Sequence, residues 1–200
     1  MQAFDSLSRD IQQYIYDKGW PSLTHIQNAA IKQVANTDHN LILSAPTASG
    51  KTEAAFIPAL NSVEDWETGL KVLYISPLKA LINDQFQSIS ELSEYLDIPI
   101  TRWHGEVSQE KKRKVVNQPK GVLLITPESI EGMLVNRPGE AQHLFQGVEW
   151  IIIDELHSFL GTERGIHLQS LLQRISQFMQ EPRFIAMSAT LNKKDFGYAK

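Results

Sequence analysis

The stretch that decides the fold reads LILSAPTASGKT over residues 41–52. Its first four residues are apolar enough for a buried strand, and a helical pattern follows from Thr52 to Leu60. Between them, residues 45–52 come close to G-x-x-x-x-G-K-[ST], a loop whose backbone cradles phosphate groups between a strand and a helix. The stretch therefore predicts a phosphate-binding strand–loop–helix unit.

Each part of this loop has a predicted task. Backbone N–H groups in the loop and at the helix N-terminus point at phosphate oxygens, Lys51 adds positive charge between the β- and γ-phosphates, and the Thr52 hydroxyl ligates Mg²⁺. The pattern departs at its first position, which is Ala45, and an incidental Gly-Lys-Thr after a strand remains an alternative interpretation. The predicted nucleotide-binding residues of the loop are Thr47, Ala48, Ser49, Gly50, Lys51 and Thr52.

A second chemical signal is the run WIIIDELH over residues 150–157. In open α/β sheets, ligands bind at the carboxyl ends of the strands, so Asp154 and Glu155 are expected to converge with the phosphate loop. Asp154 is predicted to hold Mg²⁺, and Glu155 to orient the attacking water. The alternative is an ordinary solvated end of a strand. No HExxH spacing accompanies these residues, so no zinc site is predicted.

Composition narrows the class of protein. The 200 residues are 42% hydrophobic and 21% charged, which is enough apolar material for a packed core. A net charge of −4 excludes a strongly basic protein that wraps nucleic acid, although not a local basic groove. Without cysteine there is no disulfide, thiolate nucleophile or Cys-ligated metal. No apolar run is long enough to span a membrane and no signal peptide is visible, so we expect a cytoplasmic protein.

Apolar runs alternate with helical periodicity along the chain, which predicts an α/β domain with a mostly parallel sheet and helices on both faces. Two helical patterns, Ser6 to Lys18 and Thr24 to Val34, come before the first strand. We expect residues 1–40 to pack on the domain formed by residues 41–200. The predicted strands are Leu41–Ser44, Lys71–Ser76, Ile98–Trp103, Val122–Thr126, Trp150–Asp154 and Phe184–Ser188.

Taken in order, these segments resemble the motifs of DEAD/DEAH-box helicases, in the first of their two RecA-like P-loop NTPase domains. The matching segments are the phosphate loop, PLKAL at 77–81, TPES at 126–129, DELH at 154–157 and SAT at 188–190. Gly19-Trp20 followed by LTHIQ at 23–27 resembles the Q motif, in which Gln27 would read adenine. The runs YISPLKAL at 74–81 and GTERG at 161–165 are most similar to large helicase-related (Lhr-type) proteins, which are mostly DNA helicases.

The resemblance implies a nucleic-acid surface that grips the sugar–phosphate backbone. Proline in the first turn of a helix leaves free N–H groups to bind phosphate, and an exposed Trp103 would stack on a base. The basic run from Arg102 to Lys120 either adds to this surface or is a solvated helix face. The predicted contacts are Pro77, Leu78, Lys79, Trp103, His104, Gly105, Thr126, Pro127, Glu128 and Ser129.

The SAT segment is expected to connect the two binding sites. Hydroxyls of Ser188 and Thr190, on either side of Ala189, would bond to Asp154 or His157 and transmit the state of the γ-phosphate. The cofactors implied are ATP and Mg²⁺.

The resemblance also implies a longer protein. The arginine finger of this family lies on a second RecA-like domain, which the 200 residues do not contain. We therefore expect this chain to bind nucleotide, to hydrolyse it slowly and to contribute to unwinding only with that domain. Single-stranded DNA is the implied partner, although no residue pattern distinguishes DNA from RNA. Two alternatives stay open, namely a nucleotide-dependent interaction module without unwinding and another P-loop enzyme such as a kinase.

Overall fold

A computed structural model describes residues 2–46 and 48–191 of the chain. It contains six strands, eight α-helices and short 3₁₀ turns at Phe4–Ser6 and Leu156–Ser158 within those residues. The strands are β1 (Leu41–Ser44), β2 (Gly69–Ile75), β3 (Ile100–Trp103), β4 (Lys120–Ile125), β5 (Trp150–Ile153) and β6 (Arg183–Ser188). The helices are α1 (Arg9–Asp17), α2 (His25–Asn36), α3 (Lys51–Ser62), α4 (Lys79–Tyr95), α5 (Gln109–Asn117), α6 (Pro127–Asn136), α7 (Pro138–Phe145) and α8 (Glu163–Ser176).

All strand pairs are parallel, in the order β1-β6-β5-β2-β4-β3. The predicted α/β fold with a parallel sheet is confirmed. Each predicted strand is present. The first has the predicted bounds, and the others have shifted ends; the third begins at Ile100 rather than Ile98. Strands β2, β4 and β5 are almost entirely buried, as their continuous apolar runs predict.

Successive residues of the central strands face opposite layers of helices. Tyr74 and Ile152 belong to one core, which they share with residues of α1, α2, α3 and α4. Leu73 and Ile151 belong to the other core, which is shared with α6, α7 and α8. The two helical patterns at the N-terminus thus complete the first layer. Within the described residues, no helix is both long and apolar enough to cross a bilayer.

Local capping sets where the functional helices begin. Thr24 and Gln27 form a reciprocal capping box at the start of α2. The Thr126 side chain caps α6, and Pro127 occupies its first turn, as predicted for a proline at that position. Pro77 is likewise predicted to lie in the first turn of a helix. This prediction is wrong, because α4 begins at Lys79 and Pro77 lies two residues before it.

Candidate functional site

The carboxyl ends of all six strands carry the predicted motifs at one edge of the sheet. Across β1, β6 and β5, the edge presents the phosphate loop, the SAT segment and the DELH segment. Across β2, β4 and β3, it presents the PLKAL segment, the TPES segment and Trp103-His104-Gly105. Neighbouring strands are about 4.8 Å apart, so each half of the edge is about 10 Å wide. The candidate nucleotide residues and the candidate nucleic-acid residues therefore occupy separate halves.

The phosphate loop turns sharply into α3. Gly50 stands before the helix with φ +81°, a left-handed conformation that favours glycine. A Cβ on Gly50 would lie 2.6 Å from Gln27 Nε2, so a larger residue here would displace the end of the Gln27 side chain. The Lys51 ammonium donates to the carbonyl oxygens of Ala45 at 2.6 Å and Pro46 at 2.8 Å. Thr47, another predicted binding residue, lies outside the described residues.

A cavity of about 660 Å³ opens above this loop. The predicted residues Gln27, Ala48, Ser49, Gly50, Lys51, Thr52, Asp154 and Glu155 all line it. Gln27 is buried, and its side chain bonds to the backbone N–H of Thr24 at 2.9 Å and to the Gly50 carbonyl at 3.5 Å. The structure thus brings the α2 capping box against the phosphate loop. Trp20 and Pro21 complete this side of the cavity.

Asp154 lies at the floor of the cavity with both carboxylate oxygens engaged. The Tyr74 hydroxyl donates to Oδ2, and the backbone N–H of Glu155 donates to Oδ1 at 2.9 Å. Burial raises the pKa of Asp154 above its usual range, and the bond from Tyr74 opposes that rise. Burial, together with the Asp154 charge, raises the pKa of Tyr74 well above its usual value, so the phenol keeps its proton.

Glu155 adopts a strained backbone conformation, with φ +48° in a residue that is not glycine. Its Oε2 atom is shielded from solvent and has no hydrogen-bond partner among the described residues, although it lies 3.2 Å from His157 Nδ1. Such orphan atoms are uncommon in folded proteins and occur at functional sites. Glu155 lines the same cavity as Asp154.

The SAT segment meets the DELH segment as the sequence suggests. Ser188 Oγ lies 3.3 Å from His157 Nδ1 and donates to the Thr190 carbonyl at 2.9 Å. Ala189 lies between them, and the Thr190 hydroxyl is not bonded to Asp154 in the structure. Ser188 therefore contacts His157, whereas Thr190 contributes its backbone.

Part of the predicted nucleic-acid surface is exposed and part is buried. Leu78 is 56% exposed, and Lys79 reaches Glu106 at 3.2 Å, which brings the PLKAL segment next to Gly105. Glu128 is exposed and Ser129 is half-buried, while Pro127 is buried. Thr126 is buried too, because its hydroxyl caps α6 and donates to Ser129 Oγ at 3.1 Å.

The prediction that Trp103 is exposed for stacking is wrong. Trp103 is 6% exposed and His104 is 5% exposed, because the last residue of β3 and the one after it turn into the core. The Lys112 ammonium lies 5.6 Å from the centre of the Trp103 ring and covers it. Burial also lowers the pKa of His104, which favours the neutral ring.

The basic run also has partners within the fold. Arg102 stacks on Phe86 and donates to Asn83, Lys114 pairs with Glu110, and Lys120 pairs with Glu67. With Lys112 buried as well, these contacts favour the alternative interpretation of a solvated, internally paired segment over a dedicated nucleic-acid groove.

Sequence reasoning missed three residues that hold the motifs together. Arg164 donates to the Pro77 carbonyl at 2.8 Å and to Glu128 Oε1 at 2.7 Å, so it joins the PLKAL and TPES segments. Gln85 accepts a hydrogen bond from Thr52 Oγ1 at 3.0 Å, and Tyr74 bonds to Asp154. The available signal for Gln85 was a polar face of α4, since Asp84, Gln85 and Ser88 interrupt the apolar repeat and line the cavity.

Several curated helicases are similar to this chain in sequence. The ATP-dependent helicase Lhr-Core of Saccharolobus solfataricus is 32% identical over 189 residues, which cover 86% of this chain and 21% of that protein. The Lhr helicase/uracil glycosylase of Escherichia coli is 33% identical over 193 residues, which cover 84% of this chain and 12% of that protein. The chain thus spans about a fifth or less of the length of these curated relatives.

Solved structures of helicases also superpose on this chain. The structure of Mycobacterium smegmatis helicase Lhr bound to ssDNA and AMP-PNP superposes with a TM-score of 0.85 at 28% identity, covering 96% of this chain and 26% of that one. The helicase MrfA bound to DNA and AMPPNP superposes with a TM-score of 0.82 at 26% identity, covering 94% of this chain and 27% of that one. A family model described as DEAD/DEAH box helicase matches residues 24–196. The chain belongs to the DEAD/DEAH box helicase family.

Proposed function

We propose that this chain is the ATP-binding RecA-like domain of a longer ATP-dependent helicase that acts on single-stranded DNA in the cytoplasm. The observation that carries the proposal is the division of the sheet edge into two halves. Motifs with phosphate and metal chemistry follow β1, β6 and β5, and segments suited to a nucleic-acid backbone follow β2, β4 and β3. A motor that couples the two ligands needs both on one rigid frame.

The nucleotide half supplies the groups that a triphosphate needs. Backbone N–H groups at the start of α3 and the helix dipole favour phosphate oxygens, and the Lys51 ammonium exchanges its two loop carbonyls for them. Gln27 and Trp20 line the side of the cavity on which the adenine would lie. Glu155 is the group placed to orient a water for attack on the γ-phosphate.

The donor set fits Mg²⁺. This ion prefers oxygen ligands and binds through one or two carboxylates together with water and phosphate oxygens. Asp154 and the Thr52 hydroxyl line the same cavity, and no group of three His, Asp or Glu side chains forms a complete cage within the described residues. When bound, the ion would neutralise charge on the β- and γ-phosphate oxygens.

The DNA half is built for weak, sequence-independent contact. Lys79 and Arg164 are two of its cations, and both also contact carboxylates, Glu106 and Glu128 respectively. The small net positive charge of this surface predicts a low affinity for DNA and a weak dependence of that affinity on salt concentration. The structures of helicase Lhr and of helicase MrfA named above are bound to ssDNA and to DNA respectively, which supports DNA as the substrate here. We further propose that a second RecA-like domain supplies the arginine finger, so this chain alone hydrolyses ATP slowly.

Calorimetric titration of Mg-ADP into the chain and into Lys51→Ala tests the nucleotide site. We expect binding by the wild type and a loss of about 10- to 100-fold in the variant, because a charge-assisted bond contributes about 1.5–3 kcal/mol. Lys32→Ala, on the exposed side of α2, is the matched control. Equal affinity of all three proteins would contradict a formed phosphate site. Rapid ATP turnover by this chain alone would contradict the need for a second domain.

A further inference from the structure

Two side chains outside the predicted motifs contact the two proposed magnesium ligands. Tyr74, on β2, donates its hydroxyl hydrogen to Asp154 Oδ2, and Gln85, on α4, accepts from Thr52 Oγ1 at 3.0 Å. Neither residue binds phosphate or nucleic acid in the proposed function. Each instead acts on a group that would hold the metal.

The bond from Tyr74 fixes the Asp154 carboxylate. Because the Glu155 N–H holds Oδ1 at 2.9 Å, the phenol and the amide together leave the carboxylate one orientation. Tyr74 is fully buried among apolar residues, where phenylalanine would fill the same volume. Burying a hydroxyl is unfavourable unless it is hydrogen-bonded, and Asp154 supplies that bond. The Tyr74 hydroxyl therefore orients the Asp154 carboxylate and is not needed to fill the core.

The bond to Gln85 fixes the Thr52 hydroxyl. When the hydroxyl hydrogen points at Gln85 Oε1, the oxygen lone pairs point elsewhere and remain available to a cation. Gln85 is half-buried at the wall of the same cavity, so the bond forms away from bulk water. Ligand-orienting contacts of this kind change metal affinity by about 10- to 100-fold in other proteins.

The positions of Tyr74 and Gln85 in the fold add a second consequence. Strand β2 leads through residues 76–78 into α4, so Tyr74 and Gln85 lie on either side, in sequence, of residues 77–79, which face DNA in the proposed function. Strand β2 also adjoins β5, which means that the bond between Tyr74 and Asp154 crosses the boundary between the two halves of the edge. This path does not pass through the SAT segment.

We infer that Tyr74 and Gln85 are positioning residues that orient the magnesium ligands Asp154 and Thr52 and link them to the DNA-facing segment 77–79. The inference rests on the proposed function. The inference adds to that function a chain of contacts that connects the magnesium ligands to the residues that face DNA. By thermodynamic linkage, DNA that shifts this segment changes the affinity for Mg-ADP, and Mg-ADP changes the affinity for DNA by the same factor.

Calorimetry of ADP binding with Mg²⁺, and again with EDTA, tests the positioning role. We expect Tyr74→Phe and Gln85→Leu each to weaken Mg-ADP binding about tenfold while leaving ADP binding in EDTA unchanged. Matched controls are Tyr95→Phe, whose hydroxyl bonds to Asp17 at the surface, and Gln87→Leu on the exposed face of α4. Thermal unfolding of every variant shows that each is folded.

A second titration, in the presence of oligothymidylate, tests the link. We expect the oligonucleotide to change the Mg-ADP affinity of the wild type and to have little effect on the Tyr74→Phe/Gln85→Leu double variant. If Tyr74→Phe and Gln85→Leu bind Mg-ADP as tightly as their control variants, the inference is overturned. Magnesium-dependent binding of ADP by the wild type would in that case still support the proposed function. An equal loss with Mg²⁺ and with EDTA would reduce both residues to a structural role and would also overturn it. Failure of the wild type to bind ADP would overturn the proposed function itself.

Discussion

Arg164 shows how a single residue organises the edge that faces DNA in the proposed function. Its guanidinium bonds to the Pro77 carbonyl and the Glu128 carboxylate, and it lies over the Phe159 ring. Although burial raises the pKa of Glu128, the bond from Arg164 lowers it below the usual range, so the Glu128 carboxyl is ionised at neutral pH. Gly165 permits this reach, because a Cβ there would lie 2.0 Å from the Phe159 carbonyl oxygen.

Removing that guanidinium should weaken DNA binding without affecting nucleotide binding. We expect Arg164→Gln to lower the affinity for oligothymidylate by the equivalent of about 0.5–2 kcal/mol, because segments 77–79 and 126–129 lose their common tether. Fluorescence anisotropy of a labelled oligonucleotide measures the change. Arg9→Gln, an equal loss of charge on α1, should bind like the wild type. If the affinity for ADP fell together with the affinity for oligothymidylate, Arg164 would stabilise the whole fold and not only this edge of the sheet.

At the scale of elements, α6 and α8 are clamped together on the second core layer. Glu131 of α6 accepts from Arg174 and lies 3.0 Å from His167 Nε2, both on α8. The bond from Arg174 lowers the pKa of Glu131 to about 2, despite partial burial that acts the other way. Because α6 begins in the TPES segment and α8 carries Arg164, this clamp fixes the spacing of the groups that Arg164 joins.

The clamp should stabilise the fold in a pH-dependent manner. We expect Glu131→Gln to lower the free energy of unfolding by about 1 kcal/mol at pH 7, since water screens a partly exposed pair. A carboxyl whose folded pKa is depressed contributes stability above its unfolded pKa of about 4.3, and that contribution is lost as pH falls toward 2. The difference between wild type and variant should therefore shrink below about pH 5.

Urea unfolding at a series of pH values makes that comparison. Glu94→Gln, at an exposed position of α4, provides the control and should show no pH-dependent difference. If the difference in the free energy of unfolding between wild type and Glu131→Gln increased as the pH fell, this ion pair would not be its source.

At the scale of the whole molecule, the N-terminal helices and the sheet share one core. Ile11 and Ile31 lie in the same buried cluster as Phe56 and Tyr74. Arg183 of β6 adds polar ties, since it donates to the Thr37 carbonyl at 2.6 Å and to the His39 carbonyl at 3.3 Å. We propose that residues 1–40 fold as part of the same cooperative unit as the sheet.

Truncating this shared core should therefore destabilise the entire molecule. We expect Ile31→Ala to cost about 2–5 kcal/mol, because Ile31 is 2% exposed and its loss leaves a cavity. Urea unfolding followed by circular dichroism should show one transition at a lower midpoint. Ile166→Ala, the same change at a side chain that is 72% exposed, should cost far less. Two separate transitions would mean that the N-terminal helices unfold independently.

The sequence was sufficient to predict the fold and the two groups of candidate residues at the sheet edge. Parallel strands carry their C-terminal ends to one side, so motifs that follow apolar runs had to meet there. The order of strands was not readable from local patterns, and the contacts made by Tyr74 and Arg164 depend on it. Asp154 is 80 residues from Tyr74 in sequence, and Glu128 and Pro77 are 36 and 87 residues from Arg164.

The errors at Trp103 and Pro77 have a related cause. Local pattern predicts that an aromatic residue ends a strand, but Lys112, nine positions later, covers the ring. Likewise, the extended conformation of Leu78 delays the start of α4 by two residues. Such outcomes follow from packing between elements, which propensity and periodicity do not describe.

The pairing of β1 with β6 has a consequence for synthesis on the ribosome. Leu41 lies opposite Ile185, so 144 residues separate two strands that must pair side by side. At a synthesis rate of roughly 5–20 residues per second, the strand that leads into the phosphate loop waits about 7–29 s for its only neighbour among the described strands. During that interval the nascent chain presents an unpaired apolar edge, and it is then that we expect holding chaperones to matter most.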